Sequence, residues 1–252
     1  MNTNNLPLLV KTRHGLMNIH HPDDLISQQL LRTGEYEWYV VDILDYLLSK
    51  FNDGVFLDVG ANMASVSLPL AVKYKKYQFH AFEVQPHMVS IINENITSNN
   101  ITNIQVHPYG LSNVIKTISI RLPDYDTATN IGAFSLNSYV QDQSDIAQGY
   151  GQMAEVEVKT LDSLGLKGRI RAIKLDVEGL EQHVLDGAIN TIAGNDYPPI
   201  VYELWSYNRW WDDNAEKLKT YLIDLGYTLH RHDDACIAIH KSMTRIYEEL
   251  FS

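Results

Sequence analysis

Four acidic residues stand at the ends of short apolar runs in this sequence. Asp58 follows Val55-Phe56-Leu57, Glu83 follows Phe79-His80-Ala81-Phe82, Asp176 follows the run 170–175, and Glu203 follows Ile200-Val201-Tyr202. Runs of this length and composition read as buried parallel strands, and open α/β sheets bind their ligands at the carboxyl ends of such strands. Carboxylates gathered along one edge repel one another unless a cation, a positively charged ligand or hydrogen-bond donors offset them. Helix capping or strand-end solvation accounts for any one of these acids and poorly for all four.

The stretch Val55-Phe56-Leu57-Asp58-Val59-Gly60-Ala61-Asn62-Met63-Ala64-Ser65 passes from strand through a Gly turn to a helix-compatible segment, and such a turn exposes backbone N–H groups. Glu83 follows about 20 residues later, the offset at which the acid of a second strand reaches a ribose diol. Gly60 has no second or third Gly after it, so the close backbone approach that a dinucleotide pyrophosphate needs is missing, and no P-loop pattern occurs. A cofactor with a ribose and no phosphate fits better. S-adenosylmethionine is the common one, and its sulfonium and ammonium would answer the acidic rim. On the turn alone, a domain that uses Gly60 merely to reverse the chain is an equal reading.

The elements that must position these residues can be taken in order. Residues 1–34 are polar and mixed; Pro22-Asp23-Asp24 opens a short helix, and His14, His20 and His21 lack the Cys or carboxylate partners of a metal site and read as surface residues. Trp38, Val41, Leu44, Leu47 and Leu48 recur at helical spacing up to Asn52-Asp53-Gly54. Pro69 predicts a kink or a late start in the helix after the Gly turn. Residues 86–100 form a further helix, and Ile104-Gln105-Val106-His107 a third strand whose exit turn carries Ser112 and Asn113, placed to meet an adenine edge. Alternation over 117–122 and 155–159 brackets a long polar excursion, a length that in compact domains is usually functional or disordered and here could cover a site. One helix is expected from Leu180 to Ile192, a fifth strand from Ile200 to Trp205, a helix over 213–225 ended by Gly226, and a closing hairpin around Asp233-Asp234.

Composition bounds the function. A chain of 252 residues, 45% hydrophobic and 20% charged, suits one large domain, and the single cysteine, Cys236, gives no internal disulfide. No run reaches the ~18 apolar residues of a membrane span and no basic leader opens the chain, so a soluble, cytoplasmic protein is expected. A net charge of −11 opposes attraction to phosphate backbones and lowers any nucleic-acid role.

Several blocks together resemble the FkbM-type methyltransferases: Asp58-Val59-Gly60-Ala61-Asn62, Ala81-Phe82-Glu83-Val84-Gln85-Pro86, Thr160-Leu161-Asp162-Ser163-Leu164, Ile173-Lys174-Leu175-Asp176-Val177-Glu178-Gly179-Leu180-Glu181, Val184-Leu185-Asp186-Gly187-Ala188 and Pro199-Ile200-Val201-Tyr202-Glu203. The resemblance implies an α/β class I methyltransferase fold: a Rossmann-like, doubly wound, seven-stranded, mostly parallel sheet with a C-terminal antiparallel hairpin. It would occupy 35–241, with a polar insertion near 117–159, an N-terminal extension over 1–34 and a tail over 242–252. It further implies a S-adenosylmethionine-dependent O-methyltransferase acting on a sugar, glycan or related small molecule. Two departures stand out. Ala64 replaces a second Gly of the turn, narrowing the room beside the methionine moiety, and the Pro after the ribose acid is displaced to Pro86 while Glu83 itself is kept.

By that carry-over Asp58, Gly60 and Asn62 would hold the amino-acid end of the cofactor and Glu83 its ribose; Ser112 and Asn113 would face the adenine, and Glu35 or Glu37 would close over the methionine. Lys174, Asp176, Glu178 and Glu203 are left for the acceptor. A hydroxyl acceptor needs its proton taken by a base or a Lewis acid. Asp176 or Glu178 could be that base, with Lys174 beside the developing alkoxide; Asp176 and Glu203 could instead hold Mg²⁺. Lys174 equally reads as a strand lysine paired with a neighbouring acid. The aromatic stretch Trp205-Ser206-Tyr207-Asn208-Arg209-Trp210-Trp211 suits sugar stacking, or packing under the final helix or an oligomer contact. Two other classes stay open: an RNA or cap-ribose methyltransferase, and a catalytically silent partner subunit of the same fold.

Overall fold

The computed structural model describes residues 8–143, 150–203 and 208–247. Its centre is β3 (Gly54–Val59), whose side chains alternate between two apolar layers: Phe56 lies on one face, Val55, Leu57 and Val59 on the other. Burial on both faces is what a strand without polar alternation requires. Parallel neighbours β4 (Tyr77–Phe82) and then β5 (Ile104–His107) extend the sheet to one side of β3; β9 (Ile170–Leu175) and then β10 (Ile200–Glu203) extend it to the other. A hairpin of β11 (Tyr227–His232) and β12 (Ala235–His240) closes the second side, with β12 antiparallel to β10. The order β5-β4-β3-β9-β10-β12-β11 is the seven-stranded arrangement expected from the sequence, and its strand order reverses between β3 and β9. That reversal opens a crevice at the carboxyl edge.

One layer is built by α2 (Trp38–Ser49), α3 (Ser67–Lys73) and α4 (Pro86–Ser98), the other by α6 (Glu181–Asp186), α7 (Ile189–Gly194) and α8 (Arg209–Asp224). Helix α3 does start late, with Pro69 in its first turn, where no intrahelical N–H bond is lost. The single helix expected over Leu180 to Ile192 is two, broken at Gly187, where a Cβ would meet the Ser112 carbonyl oxygen at 2.0 Å. Helix α8 begins at Arg209 rather than 213 because Asn208 caps it, accepting from the N–H groups of Trp210 and Trp211. Leu204 and Trp205, expected to continue β10, lie outside the described residues.

The polar excursion leaves the main sheet. β6 (Gly110–Leu111), β7 (Lys116–Pro123) and β8 (Tyr150–Lys159) form a separate three-stranded sheet, and the described part of the segment between β7 and β8 ends in α5 (Ser138–Gln143). The N-terminal residues form a hairpin, β1 (Leu8–Thr12) with β2 (Gly15–Ile19), and α1 (Leu25–Thr33), capped by Asp24. Met17, Ile19, Ile26 and Leu30 enter the main core, so residues 8–34 are packed against the sheet's helical layer rather than extended from it. Among the described residues no helix is long and apolar enough to cross a membrane.

Candidate active site

The turns that leave β3 and β9 lie side by side at the crevice. The Asp176 N–H donates to the Val59 carbonyl at 3.0 Å, and a Cβ on Gly60 would come 1.7 Å from the Asp176 carbonyl oxygen, so this approach admits only glycine, which also supplies the φ of +79°. Asn62 is left-handed as well, at φ +51°. Its N–H donates to Glu83 Oε2 at 2.9 Å, while Val84 and Gln85 donate their N–H groups to Oε1. Oε1 thus accepts two bonds and Oε2 one, and Glu83 still lines a narrow cavity of ≈60 Å³ beside Gly60, Leu111 and Phe134. Burial pushes its carboxyl up to about 7 despite those three donors.

A larger cavity of ≈1010 Å³ opens over the same edge. Its floor holds Lys174, Asp176, Glu178, Glu203 and Glu37; α1 and the 128–140 segment form its walls. Lys174 Nζ donates to the Gly60 carbonyl at 2.8 Å and to Asp176 Oδ2 at 3.0 Å, and stands 3.8 Å from Asp58. Burial opposes its charge, but Asp176, Asp58 and Glu37 outweigh burial and hold its pKa above the ordinary lysine value. The ammonium is therefore a fixed cation, already committed to the two turns.

The other carboxyls are shifted toward protonation. Burial, then Asp176, raises Glu37 to about 7; burial, Asp176 and Glu37 raise Glu203 to about 9. Glu203 also accepts from the Tyr39 hydroxyl at 3.4 Å. Glu178 is raised well above an ordinary glutamate by burial and by Asp176, Glu181 and Glu203. Its left-handed backbone, φ +53°, is held from both sides. Ser135 Oγ donates to its carbonyl at 2.6 Å, and Glu181 Oε1 accepts the N–H groups of Val177 and Gly179. Asn62, Gly132, Asp176 and Glu178 line both cavities and so mark the seam between them.

Some residues expected at the site lie elsewhere. Asp58, 1% exposed, is sealed below the turn; it accepts from Ser67 Oγ at 2.5 Å and faces Lys174, so it braces the floor instead of reaching the cavity. Glu35 turns outward to an ion pair with Arg13 at 2.8 Å, leaving Glu37, which caps α2 at φ +46°, as the inward-facing one of the pair. Ser112 and Asn113 pack over Gly187, and Gly110 and Leu111 form the cavity wall in their place. Ala64 is buried in the core at φ +62° and narrows neither cavity; its cost is backbone strain. His14, read as a surface residue, is 1% exposed, its ring bonded to the Ser65 carbonyl at 2.7 Å and the Tyr36 N–H at 2.9 Å. His20 is half-buried against His87 and the Tyr125 carbonyl. As for Mg²⁺ on Asp176 and Glu203, among the described residues no three His, Cys, Asp or Glu side chains are disposed around a metal position, and the Lys174 ammonium already answers Asp176. Trp205, Ser206 and Tyr207 lie outside the described residues; Trp211 lines the larger cavity, and Trp210 stacks on Tyr139 at 4.9 Å.

The sequence profile of the methyltransferase FkbM domain matches residues 58–229, which contain both turns, Glu83 and the whole K-x-D-x-E-G-x-E block. The chain belongs to this family. As an FkbM-domain chain it is similar to Methyltransferase 1 of Beauveria bassiana (strain ARSEF 2860), 29% identical over 154 residues, or 56% of this chain; it spans 61% of that relative's length. Solved structures of related shape include the precorrin-6y C5,15-methyltransferase of Geobacter metallireducens GS-15 (14% identity, 89% of this chain and 98% of the other, TM-score 0.44). Another is an rRNA methylase of Streptococcus thermophilus (13% identity, 77% and 90%, TM-score 0.42). The matched region begins at Asp58, so α1 and Glu37, which line the larger cavity, lie before it. Tyr36, Gln29, Arg32 and Asn130 on the cavity wall carried no motif that sequence reading could have used. Glu181 stood inside the quoted block, and its spacing from Gly179 was its only signal.

Proposed function

We propose that the protein transfers the methyl group of S-adenosylmethionine to a hydroxyl of a sugar, a glycan or a related small molecule. The observation that carries this reading is the seam: Asp176 and Glu178 face both the narrow cavity beside Glu83 and the wide cavity under α1.

The residues present fit the cofactor. Gly60 lines the narrow cavity, Glu83 Oε2 has a lone pair to spare, and Asn62 Oδ1 is buried without a hydrogen-bond partner among the described residues. Glu83 would hold the ribose hydroxyls, Gly60 and Asn62 the amino-acid end, and Gly110 and Leu111 the adenine. S-adenosylmethionine supplies a methyl carbon already activated by its sulfonium. The chain's task is then to hold an acceptor oxygen within about 3–3.5 Å of that carbon and to take its proton. Glu178 is the base in this reading: in its ionised form it stands at the seam where an acceptor hydroxyl entering from the wide cavity would meet the methyl group. Lys174 is a positioning residue, fixing Asp176 and the Gly60 turn in relation to each other.

Incubation with methyl-labelled S-adenosylmethionine and a panel of saccharides tests this. Label is expected on a hydroxyl oxygen, undiminished by a chelator. Glu178→Gln is expected to slow transfer by about 10²–10⁴-fold with unchanged binding of the demethylated cofactor. Cofactor binding without transfer to any hydroxylated acceptor would refute the assignment and favour the silent-subunit reading.

A further inference from the structure

The wall formed by α1 suggests what kind of acceptor the wide cavity takes, given the methyl-transfer reading above. Gln28 and Gln29 each stand three or four residues from both Leu25 and Arg32, so the four gather on one side of α1, and all four line the cavity. Beside the start of α1, to which it is hydrogen-bonded at Asp24 and Leu25, the 128–140 segment contributes Asn130 and Val140.

These polar side chains are not all free. The Gln28 amide donates to the Asp23 carbonyl at 3.1 Å. Gln29, Asn130 and Arg32 have no side-chain partner among the described residues. Among the described residues the other cation lining the cavity, Lys174, is committed to Asp176 and Gly60, and the nearby Arg13 to Glu35. Arg32 is thus the uncommitted positive charge among the described residues on the cavity wall, in a protein of net charge −11. Its guanidinium offers planar, paired donors that match carboxylate or phosphate oxygens. Amide groups such as Gln29 and Asn130 suit hydroxyls, and Leu25 and Ile26 offer an apolar surface for a ring face.

We propose that the acceptor is a hydroxylated ring bearing an anionic group, and that Arg32 on α1 binds that group.

The carboxyls on the cavity floor do not forbid such a ligand. Lys174 offsets Asp176, and Glu37 and Glu203 are shifted toward their neutral forms, so the floor repels an anion far less than its count of acids suggests. Arg32 also lies in the last turn of α1, where a cation complements the helix end; that role alone would affect stability and be blind to the acceptor.

The test compares glucuronate, glucose 6-phosphate and glucose as acceptors, so that carboxylate, phosphate and neutral arms are read side by side. At least one charged sugar is expected to exceed glucose about tenfold in kcat/KM, and Arg32→Leu is expected to erase that preference through KM. Arg32→Lys should restore part of it, with the KM for S-adenosylmethionine and the Tm of both variants near those of the parent. Equal use of glucose and the charged sugars, or an equal loss on all three in Arg32→Leu, would overturn the proposal. If none is methylated, saturation-transfer NMR on the protein loaded with demethylated cofactor decides by the same comparison: charged sugars bound no better than glucose overturn it. Failure to bind the cofactor at all would defeat the methyl-transfer reading itself, whereas cofactor binding with indifference to sugar charge defeats only this one.

Discussion

A methyl group placed on Gly60 would have to occupy the same space as the Asp176 carbonyl oxygen, and at a φ that L-residues avoid. Gly60→Ala is therefore expected to cost about 3 kcal/mol or more and to abolish cofactor binding, as denaturant titration and calorimetry would show. Four residues on, Ala64 pays the left-handed penalty without any visible return, being buried away from both cavities. Ala64→Gly should be neutral or stabilising by up to about 1 kcal/mol, the relief of strain offset in part by the added freedom of the unfolded chain. Both positions could be read from the sequence to different depths. The Asp-x-Gly-x-Asn spacing announced Gly60, and the departure at Ala64 was visible too. That its effect would be on the backbone and not on ligand space depends on a dihedral angle that no side-chain pattern encodes.

The elements of the sheet were legible because the buried strands are short and predominantly apolar and the helices carry a 3.6-residue stripe. What failed was decided by contacts distant in sequence. His14 sits among polar neighbours, and its burial comes from partners 51 and 22 residues away, Ser65 and Tyr36. With Nδ1 donating to the Ser65 carbonyl and Nε2 accepting from the Tyr36 N–H, the ring must be neutral, in keeping with the lowering of its pKa by burial. His14 thereby fastens the β1–β2 hairpin to the turn after β3 and to the residue beside Glu37. His14→Ala is expected to cost about 1–3 kcal/mol and to weaken cofactor binding together with it, measurable as parallel shifts in urea midpoint and in affinity. The break between α6 and α7 has the same kind of origin: Gly187 yields to the Ser112 carbonyl, from a strand exit far earlier in the chain.

For the whole molecule, the shifted groups set how stability depends on pH. Glu37 and Glu83, raised to about 7, Glu203, raised to about 9, and Glu178 keep protons in the folded chain that ordinary glutamates release near 4.5. Their contribution is complete below that value and is lost as pH climbs through the folded values. His20 and His107, lowered to about 4 by burial, act in the opposite sense: their contribution is complete above 6.5 and lost as pH falls toward 4. The two sets oppose each other between 4.5 and 6.5, and above 7 only the acids remain. Stability should therefore decline from pH 7 to 9, by about 1.4 kcal/mol per pH unit for each carboxyl still protonated in the folded chain, and Glu203→Gln should flatten that decline in urea titrations across the range. The strand order has a consequence of a different kind. β3 is synthesised early, yet its partner β9 is complete only at Leu175, more than 100 residues later, with the small three-stranded sheet made in between. On the ribosome, then, the centre of the sheet must wait with one edge bare until β9 has emerged, which makes refolding slow and nascent chains a natural client for chaperones.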